Sequence, residues 1–377
     1  MGVITDILKL NPKATGSLPT GVEGALAYDS TDGRLKAYGT AWMPVSRATG
    51  SGGVETTYST FKVHTFKSSG TFTISGGSIT CDILVLGSGG SGGGGNSSNY
   101  GSGAGAGGML WRPTKILGPA AYTISIGNGG SWTNAQTTGN KGTDCSFSGS
   151  GYTLTGNAGG AGSGTANSTQ PADCTGGCGG GAGRDGGTNA AGASNQTNSQ
   201  DSSAYAYGFA GGTADRTGCG SAGGGGGTGQ LGQNGGYDCQ ATRAAGQSEG
   251  GYGRNSMDGV SNSEFIDFMW SAQVGTNTSQ NGVGGSLVSG LGAKPSDIRL
   301  GAGGGGAYEA ASAADLAYGG LGGGGRGAGR YPAGTGIAGT NALASTGSGG
   351  GAGQRYQASA ANGGNGAGGV VIIRYAN

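Results

Sequence analysis

The chain has 377 residues, 97 of which are glycine, and its 20 basic and 19 acidic residues give a formal net charge of +1. Average domains contain roughly 7% glycine and about 25% charged residues, whereas only 10% of this chain is charged. Disordered chains usually stay solvated through their charged residues, collagen needs glycine at every third position, and a nucleic-acid-binding protein needs a basic surface. The composition fits none of these classes, and no apolar run approaches the about 20 residues of a membrane span. We expect an ordered, soluble structure built largely from glycine.

Residues 1–50 have an ordinary composition and are predicted to form a small N-terminal unit. Strand signals flank the turn that ends in Asp32 and Gly33, because Asp-Gly readily adopts the positive φ of a tight hairpin. The predicted strands of this β-meander cover residues 24–28, residues 34–38 and the chain around Trp42. Residues 51–57 begin with Ser-Gly-Gly and are predicted to be a linker.

Residues 58–377 are predicted to form one glycine-rich domain bracketed by strands. Strand patterns occur at residues 58–65, 71–74, 79–86, 121–126 and 369–375. The run from Ile83 to Leu86 is continuously apolar, as expected of a strand that is covered on both faces. The run from Val370 to Ile373 is similar, so we expect these two strands to pack sheet against sheet in a β-sandwich.

The chain between these strands is interrupted by glycine runs without a fixed period. Ordering one backbone residue costs roughly 1–2 kcal/mol, and glycine loses the most freedom of all residues. Since apolar side chains are scarce, the peptide groups themselves must supply the compensating contacts. Extended helices with three residues per turn can bond laterally through their peptide groups when only glycine or an occasional alanine lies between them. The sequence therefore predicts an all-β fold with sandwich strands, polyglycine II-like segments and long loops.

Three blocks of the sequence resemble the glycine-rich domain of bacteriophage tail-fibre and adhesin proteins. They run from His64 to Gly87, from Ala121 to Gly130 and from Gly363 to Tyr375. Residues 17–45 are similar to a short module common near the start of phage fibre proteins. In some phage adhesins of this kind, glycine segments pack as a polyglycine II sandwich.

The resemblance implies a fibre or adhesin on the virion, often a homotrimer, whose loops between glycine motifs touch the host surface. We therefore expect a component that mediates attachment to the host cell and that is extracellular after host lysis. Its expected partner is a host surface glycan or an outer-membrane protein, with no nucleic acid. Residues 1–50 would attach it to other virion proteins.

Few residues in the chain suit catalysis. The single histidine, His64, lies in an alternating strand pattern, where a packing or surface residue is expected. The carboxylates Asp258, Glu264 and Asp267 lie close together in the sequence and could serve a glycosidase, but loop charges are usually just solvated. We expect neither an enzyme nor a cofactor.

Six cysteines leave three possibilities open. Cys174, Cys178, Cys219 and Cys239 could supply a four-thiolate metal site, although their spacing matches no compact zinc finger. Disulfides and buried or free thiols are the alternatives, and of the three a metal is expected least.

Two aromatic-rich inserts are candidate receptor contacts, because aromatic rings are enriched at binding hot spots. The candidate residues are Tyr205, Tyr207, Phe209, Phe265, Phe268, Met269 and Trp270. The alternative is that these side chains form small cores beneath long loops.

Three other functions compete with an adhesin. A purely structural virion spike or capsid fibre would need no receptor contact. A glycan depolymerase would need the carboxylates near residue 260. An ice-binding protein built from polyglycine II helices would need regular rows of threonine, which the sequence lacks.

Overall fold

The computed structural model describes residues 13–14, 23, 25–30, 34–38, 41–44, 48–95, 100–132, 137–164, 172–184, 190–215, 221–235, 261–274, 297–309, 317–330, 336–354 and 361–377. The strands are β1 (Leu26–Asp29), β2 (Arg34–Tyr38), β3 (Trp42–Pro44), β4 (Thr49–Ser51), β5 (Val54–Tyr58), β6 (Phe61–Phe66), β7 (Gly70–Ser75), β8 (Ile79–Leu86), β9 (Met109–Leu117), β10 (Ala120–Ser125), β11 (Cys145–Gly149), β12 (Tyr152–Gly156), β13 (Tyr205–Tyr207), β14 (Tyr308–Glu309), β15 (Gly329–Arg330) and β16 (Val370–Ala376). The helices are a 3-10 turn at Ala172–Cys174 and the α-helix α1 (Asn262–Ser271). The all-β prediction is confirmed.

The predicted N-terminal meander is confirmed. β1 pairs with β2, and β2 pairs with β3, both antiparallel. The strands follow one another in the order β1-β2-β3, as hairpin connections require.

Two antiparallel sheets form the sandwich. The six-stranded sheet has the order β13-β9-β8-β16-β6-β5, and the five-stranded sheet has the order β12-β11-β10-β7-β4. β8 and β16, which were expected to lie in opposite sheets, are neighbours in the same sheet, with Ile83 opposite Ile373. That expectation was wrong because a continuous apolar run shows that both faces of a strand are covered and says nothing about its hydrogen-bonded neighbour.

Both faces of the six-stranded sheet are covered, which explains the continuous apolar runs. Ile83, Val85 and Ile373 face the five-stranded sheet and pack with its aromatic side chains Phe72 and Phe147. The alternate residues Leu84, Leu86, Val370 and Ile372 face the other way and pack under α1 and the chain around Ile298 and Leu300.

The segment predicted to be a linker contributes to the sandwich. Ser51 ends β4 in the five-stranded sheet, and Val54 begins β5 at the edge of the six-stranded sheet. Gly52 and Gly53, which connect the two strands, both have positive φ, so the chain changes sheets here in a tight turn. Glycine in this segment therefore serves a turn between sheets.

The sequence patterns did not predict β4, β5, β9, β11 to β15 or α1. β9 contains Pro113, which normally argues against a strand, but the residue sits where the register with β8 shifts. α1 begins with a capping box, in which the Ser261 side chain accepts a hydrogen bond from the N–H of Glu264 and the Glu264 carboxylate accepts one from the N–H of Ser261. The Ser-x-x-Glu spacing in the sequence is typical of the N-terminus of a helix.

The glycine segments form a bundle whose hydrogen bonds repeat every three residues. In the segment 101–108, the N–H groups of Ser102, Gly105 and Gly108 donate to residues 163, 160 and 157. Those of Gly103 and Ala106 donate to residues 223 and 226 of a second segment. A repeat of three residues, each pointing in a different direction, is the geometry of a polyproline II-type helix with lateral hydrogen bonds.

The segment 101–108 has six neighbouring segments. Its N–H groups donate to segments 157–164, 221–228 and 346–354, and its C=O groups accept from segments 87–95, 176–184 and 301–309. These lateral hydrogen bonds are 2.8 to 3.2 Å long. Every direction around the central segment is thus occupied by another backbone, which is the hexagonal packing expected of polyglycine II.

Candidate functional site

The bundle has two different ends. Segment 87–95 leaves β8, and segment 101–108 leads into β9, so Gly87 and Gly108 lie beside the sandwich. Their hydrogen bonds pair Gly87 with Gly108 at 2.9 Å and Gly93 with Ser102 at 3.0 Å, so the two segments run antiparallel. Gly95 and Tyr100 therefore lie at the end away from the sandwich. We call this the far end and the sandwich side the near end.

The hydrogen-bond registers place the other segment termini at the far end as well. The paired residues at this level are Gly95 with Ala361, Tyr100 with Arg184, Asp215 with Ser221, Glu309 with Arg330, and Ile337 with Gln354. The connections 96–99, 216–220, 331–335 and 355–360 begin and end at these residues or one residue away, and the connections 185–189 and 310–316 begin next to Arg184 and Glu309. Those connections themselves lie outside the described residues.

The distance between the two ends is set by the backbone. A polyproline II-type helix rises about 3.1 Å per residue, so eight residues span roughly 25 Å. The far end is thus held well away from the sandwich, by a bundle with almost no side-chain volume.

Large side chains close the far end. Tyr100 is fully buried, and the guanidinium of Arg184 lies 5.1 Å from the centre of its ring. Tyr308 is buried against Ala317. Gln354 is also buried, and within the described part of the chain neither Nε2 nor Oε1 of its carboxamide has a hydrogen-bond partner.

These far-end residues were not among the predicted site residues, although the sequence carries a signal for them. Arg184, Arg330 and Gln354 each follow the tripeptide Gly-Ala-Gly. A long side chain directly after such a tripeptide marks the point where the close packing of backbones stops, since there is room for it only beyond the last neighbour.

The aromatic candidates from the first insert lie at the near end. Tyr205 and Tyr207 belong to β13, at the edge of the six-stranded sheet, and Phe209 follows that strand and is half-buried. Tyr205 is 38% exposed and stacks on Trp111 with ring centroids 5.7 Å apart, whereas Tyr207 is buried. Of these three residues, Tyr205 is the most available for contact with a partner.

The aromatic candidates from the second insert belong to α1. Phe265, Phe268 and Met269 are buried in the cluster that covers the outer face of the six-stranded sheet, and Trp270 is partly buried against it. Phe268 also lies 5.0 Å from the guanidinium of Arg374. Their burial agrees with the alternative interpretation, in which these residues form a small core. Whether any candidate contacts a receptor stays a prediction.

His64 is a packing residue. It is fully buried, its ring stacks on Tyr375 with centroids 5.6 Å apart, and Nδ1 lies 2.8 Å from the carbonyl oxygen of Gly52. Burial lowers the pKa of the imidazole below its usual value. These contacts hold the β4–β5 turn against the sheet.

The four described cysteines, Cys81, Cys145, Cys174 and Cys178, are free and buried. Burial raises the pKa of Cys174 and Cys178 to about 12, so both remain protonated thiols. No cluster of three metal-binding side chains occurs among the described residues. Cys219 and Cys239 lie outside them.

Among the described residues, the carboxylates near residue 260 do not form the pair that a glycosidase would need. Glu264 is occupied in the capping box, where hydrogen bonds from the N–H and hydroxyl of Ser261 lower its pKa. Asp267 lies one turn further along α1 and is partly buried, and Asp258 lies outside the described residues.

A polar clamp joins the two sheets at the near end. Asp201 accepts hydrogen bonds from Arg112 Nε of β9 at 2.7 Å and from the hydroxyl of Tyr152 of β12 at 2.9 Å. Lys115 Nζ lies 3.7 Å above the Tyr152 ring. Burial raises the pKa of Tyr152, and the hydrogen bond to Asp201 adds to that effect. Each charged group in this clamp faces an opposite charge or a ring, which indicates a structural role.

The chain matches the model of a known protein family. A family model described as a glycine-rich domain covers residues 65–266, which is more than half of the 377 residues. No curated protein matches the chain. Among the described residues, no helix has both the length and the apolar character needed to cross a membrane.

Proposed function

Because the chain belongs to the glycine-rich domain family, we propose that it is a bacteriophage fibre or adhesin component that attaches the virion to the host cell. The proposed contact surface is the far end of the bundle together with the connections that start there. The proposed partner is a host surface glycan or an outer-membrane protein.

One observation carries this proposal, namely that many connections share the far end. Six connections of different length and composition begin there, because successive segments along the chain run alternately towards and away from the far end. The segments from which these connections start are held in place by backbone hydrogen bonds and not by side chains. A rigid base reduces the entropy that recognition by several connections would otherwise cost.

Cell binding tests the proposal. Fluorescently labelled protein is incubated with a panel of bacterial strains, and the unaltered chain should bind some of them. Replacing residues 331–335 and 355–360 with Gly-Ser sequences of equal length should reduce binding by at least about tenfold, equivalent to 1.4 kcal/mol. The control variant is Leu231→Ser, at an exposed near-end turn, which should bind like the unaltered protein.

Two results would contradict the attachment role at the far end. One is that the folded protein binds no strain in the panel. The other is that the variant with the Gly-Ser replacements binds as well as the original protein, while amide hydrogen exchange shows that its bundle is intact.

A structural virion component without a receptor role is the second candidate. It is favoured by the burial of Phe265, Phe268 and Met269, because these side chains are part of the core. For either role we propose assembly as a homotrimer, with residues 1–50 contacting other virion proteins. Sedimentation equilibrium of the full chain distinguishes a trimer from a monomer.

A further inference from the structure

We propose that a neutral saccharide binds along the flank of the bundle, across a strip formed by Asn341, Asn365, Trp132, Ser131 and Asn140. The strip crosses four adjacent segments, 336–343, 361–369, 127–132 and 137–144. It lies on the side of the bundle and shares no residue with the proposed attachment surface. It therefore stands independently of the proposed attachment surface.

A chain of hydrogen bonds orders the strip. Asn341 Oδ1 accepts from the N–H of Asn365 at 2.8 Å, and Asn365 Oδ1 accepts from the N–H of Trp132 at 2.8 Å. On the next segment, Asn140 Nδ2 donates to the carbonyl oxygen of Ser131 at 2.6 Å. A backbone N–H can only donate and a carbonyl can only accept, so these bonds fix which way each carboxamide points.

Each carboxamide in the strip has one atom left for a ligand. Within the described part of the chain, no hydrogen bond engages Nδ2 of Asn341, Nδ2 of Asn365 or Oδ1 of Asn140. All three side chains are exposed. The strip thus presents donors from two segments and an acceptor from a third, and a sugar hydroxyl can both donate and accept.

Trp132 supplies an aromatic ring in the middle of the strip. The ring rests on segment 361–369 where Gly363 has no side chain, and a Cβ there would lie 3.1 Å from Cδ1 of the indole. Among the described residues, the indole Nε1 has no hydrogen-bond partner, although such groups usually have one when buried. No hydrogen bond is therefore lost if the ring turns towards a ligand.

The chemistry of the strip selects an uncharged polyol. All five side chains are neutral, and an anionic ligand would call for the forked guanidinium of arginine. Carboxamides fixed by the backbone lose little entropy when they bind a ligand. A flat pyranose ring with several hydroxyl groups suits an aromatic face flanked by such amides.

Direct titration tests the saccharide site. The probes are maltohexaose, cellohexaose, mannohexaose and chitohexaose, with hexagalacturonate as the anionic comparison, each added to the full chain and followed by calorimetry. At least one neutral hexasaccharide should bind at millimolar concentration. Trp132→Ala should weaken that binding about tenfold or more, and Asn341→Ala should weaken it at least about threefold, or 0.65 kcal/mol.

Matched variants separate binding from folding. Asn234→Ala is the control, because Asn234 is also exposed and its Oδ1 also accepts a hydrogen bond from a backbone N–H, that of Thr213 at 2.8 Å, and because its segment, 221–235, contains no tryptophan. It should bind the sugar unchanged. Trp132→Phe keeps an aromatic ring and should retain most of the affinity if the alanine variant does not fold.

Three outcomes would overturn the inference. They are no binding of any neutral hexasaccharide to the folded chain, tighter binding of the anionic hexamer, and equal loss in the Asn234 and Asn341 variants. Because the assay contains no cells, none of them affects the proposed attachment role. Conversely, a failure to bind cells would leave the titration result unchanged.

Discussion

Individual glycines in the bundle are required by the distance between backbones. A Cβ at Gly103 would lie 1.9 Å from the carbonyl oxygen of Gly304, and one at Gly107 would lie 2.0 Å from that of Gly87. Ala104 and Ala106 on the same segment are buried, so the alternate positions accept a methyl group. Whether a position in the bundle requires glycine or accepts alanine thus depends on the distance between its Cβ position and the neighbouring backbone.

Glycine-to-alanine substitutions should distinguish positions that have no room for a methyl group from positions that have it. We expect Gly103→Ala to destabilise the protein by about 1–3 kcal/mol or more, because the backbone of the neighbouring segment must move. Gly118→Ala is the matched control, since nothing lies within 4 Å of a Cβ there. It should be neutral or slightly stabilising. Thermal unfolding measures both, and equal effects would refute the lattice explanation.

The single histidine gives the stability a defined pH dependence. Burial lowers the pKa of His64 below the 6.5 of an unfolded chain, so the unfolded state binds the proton more tightly. Stability should therefore be constant above pH 6.5 with respect to this group and fall as the pH drops below that value. Urea unfolding between pH 7.5 and pH 5.5 measures it.

A His64→Gln variant is the comparison for this pH effect. It should be less stable at pH 7 because the packing on Tyr375 is lost, and its stability should vary less between pH 7.5 and pH 5.5. An unchanged pH dependence in the variant would assign the effect to other groups.

At the scale of elements, α1 acts as part of the sandwich. It covers the outer face of the six-stranded sheet, and hydrogen bonds from Thr65 to the carbonyl oxygen of Ala272 and from Lys67 to that of Gln273 fix its C-terminal end. The apolar residues of this insert therefore complete a core that the sheet alone would leave open to water.

Truncating an α1 side chain should affect stability first. We expect Phe268→Ala to cost about 3–5 kcal/mol, because the side chain is 3% exposed and leaves a cavity. Tyr205→Ala should cost about 0.5–1.5 kcal/mol, since its main loss is the stacking on Trp111. Chemical unfolding compares the two. A negligible cost for Phe268→Ala would return this residue to the candidate contact surface.

At the scale of the whole molecule, rigidity comes from backbone hydrogen bonds in three directions. Each bond contributes only about 0.5–1.5 kcal/mol net, but the buried peptide groups would be costly to leave unpaired. Order in the bundle is therefore cooperative, because removing one segment exposes peptide groups on several others.

Hydrogen exchange should report this cooperativity. Amides of residues 101–108 are buried and surrounded by six segments, so we expect them to exchange at least about a thousandfold more slowly than in a free peptide. Residues 197–203 are largely exposed and should exchange much faster. Mass spectrometry of peptic fragments measures both regions. Free-peptide rates in residues 101–108 would rule out an ordered bundle.

The sequence by itself determined the class of the fold and the dominance of backbone peptide groups over apolar side chains in the glycine-rich interior. Alternation predicted the strands, the Asp-Gly turn predicted the meander, and scarce apolar side chains left peptide groups as the source of order. It did not reveal that β8 pairs with β16, that α1 covers the sheet, or that Gly52 and Gly53 turn the chain between sheets. Those facts depend on which segments meet, and glycine runs of similar composition carry little information about their partners. Only the tertiary structure set the hydrogen-bond registers, and these place the termini of many glycine segments at one end of the bundle and the strip of Asn341, Asn365 and Asn140 on one flank.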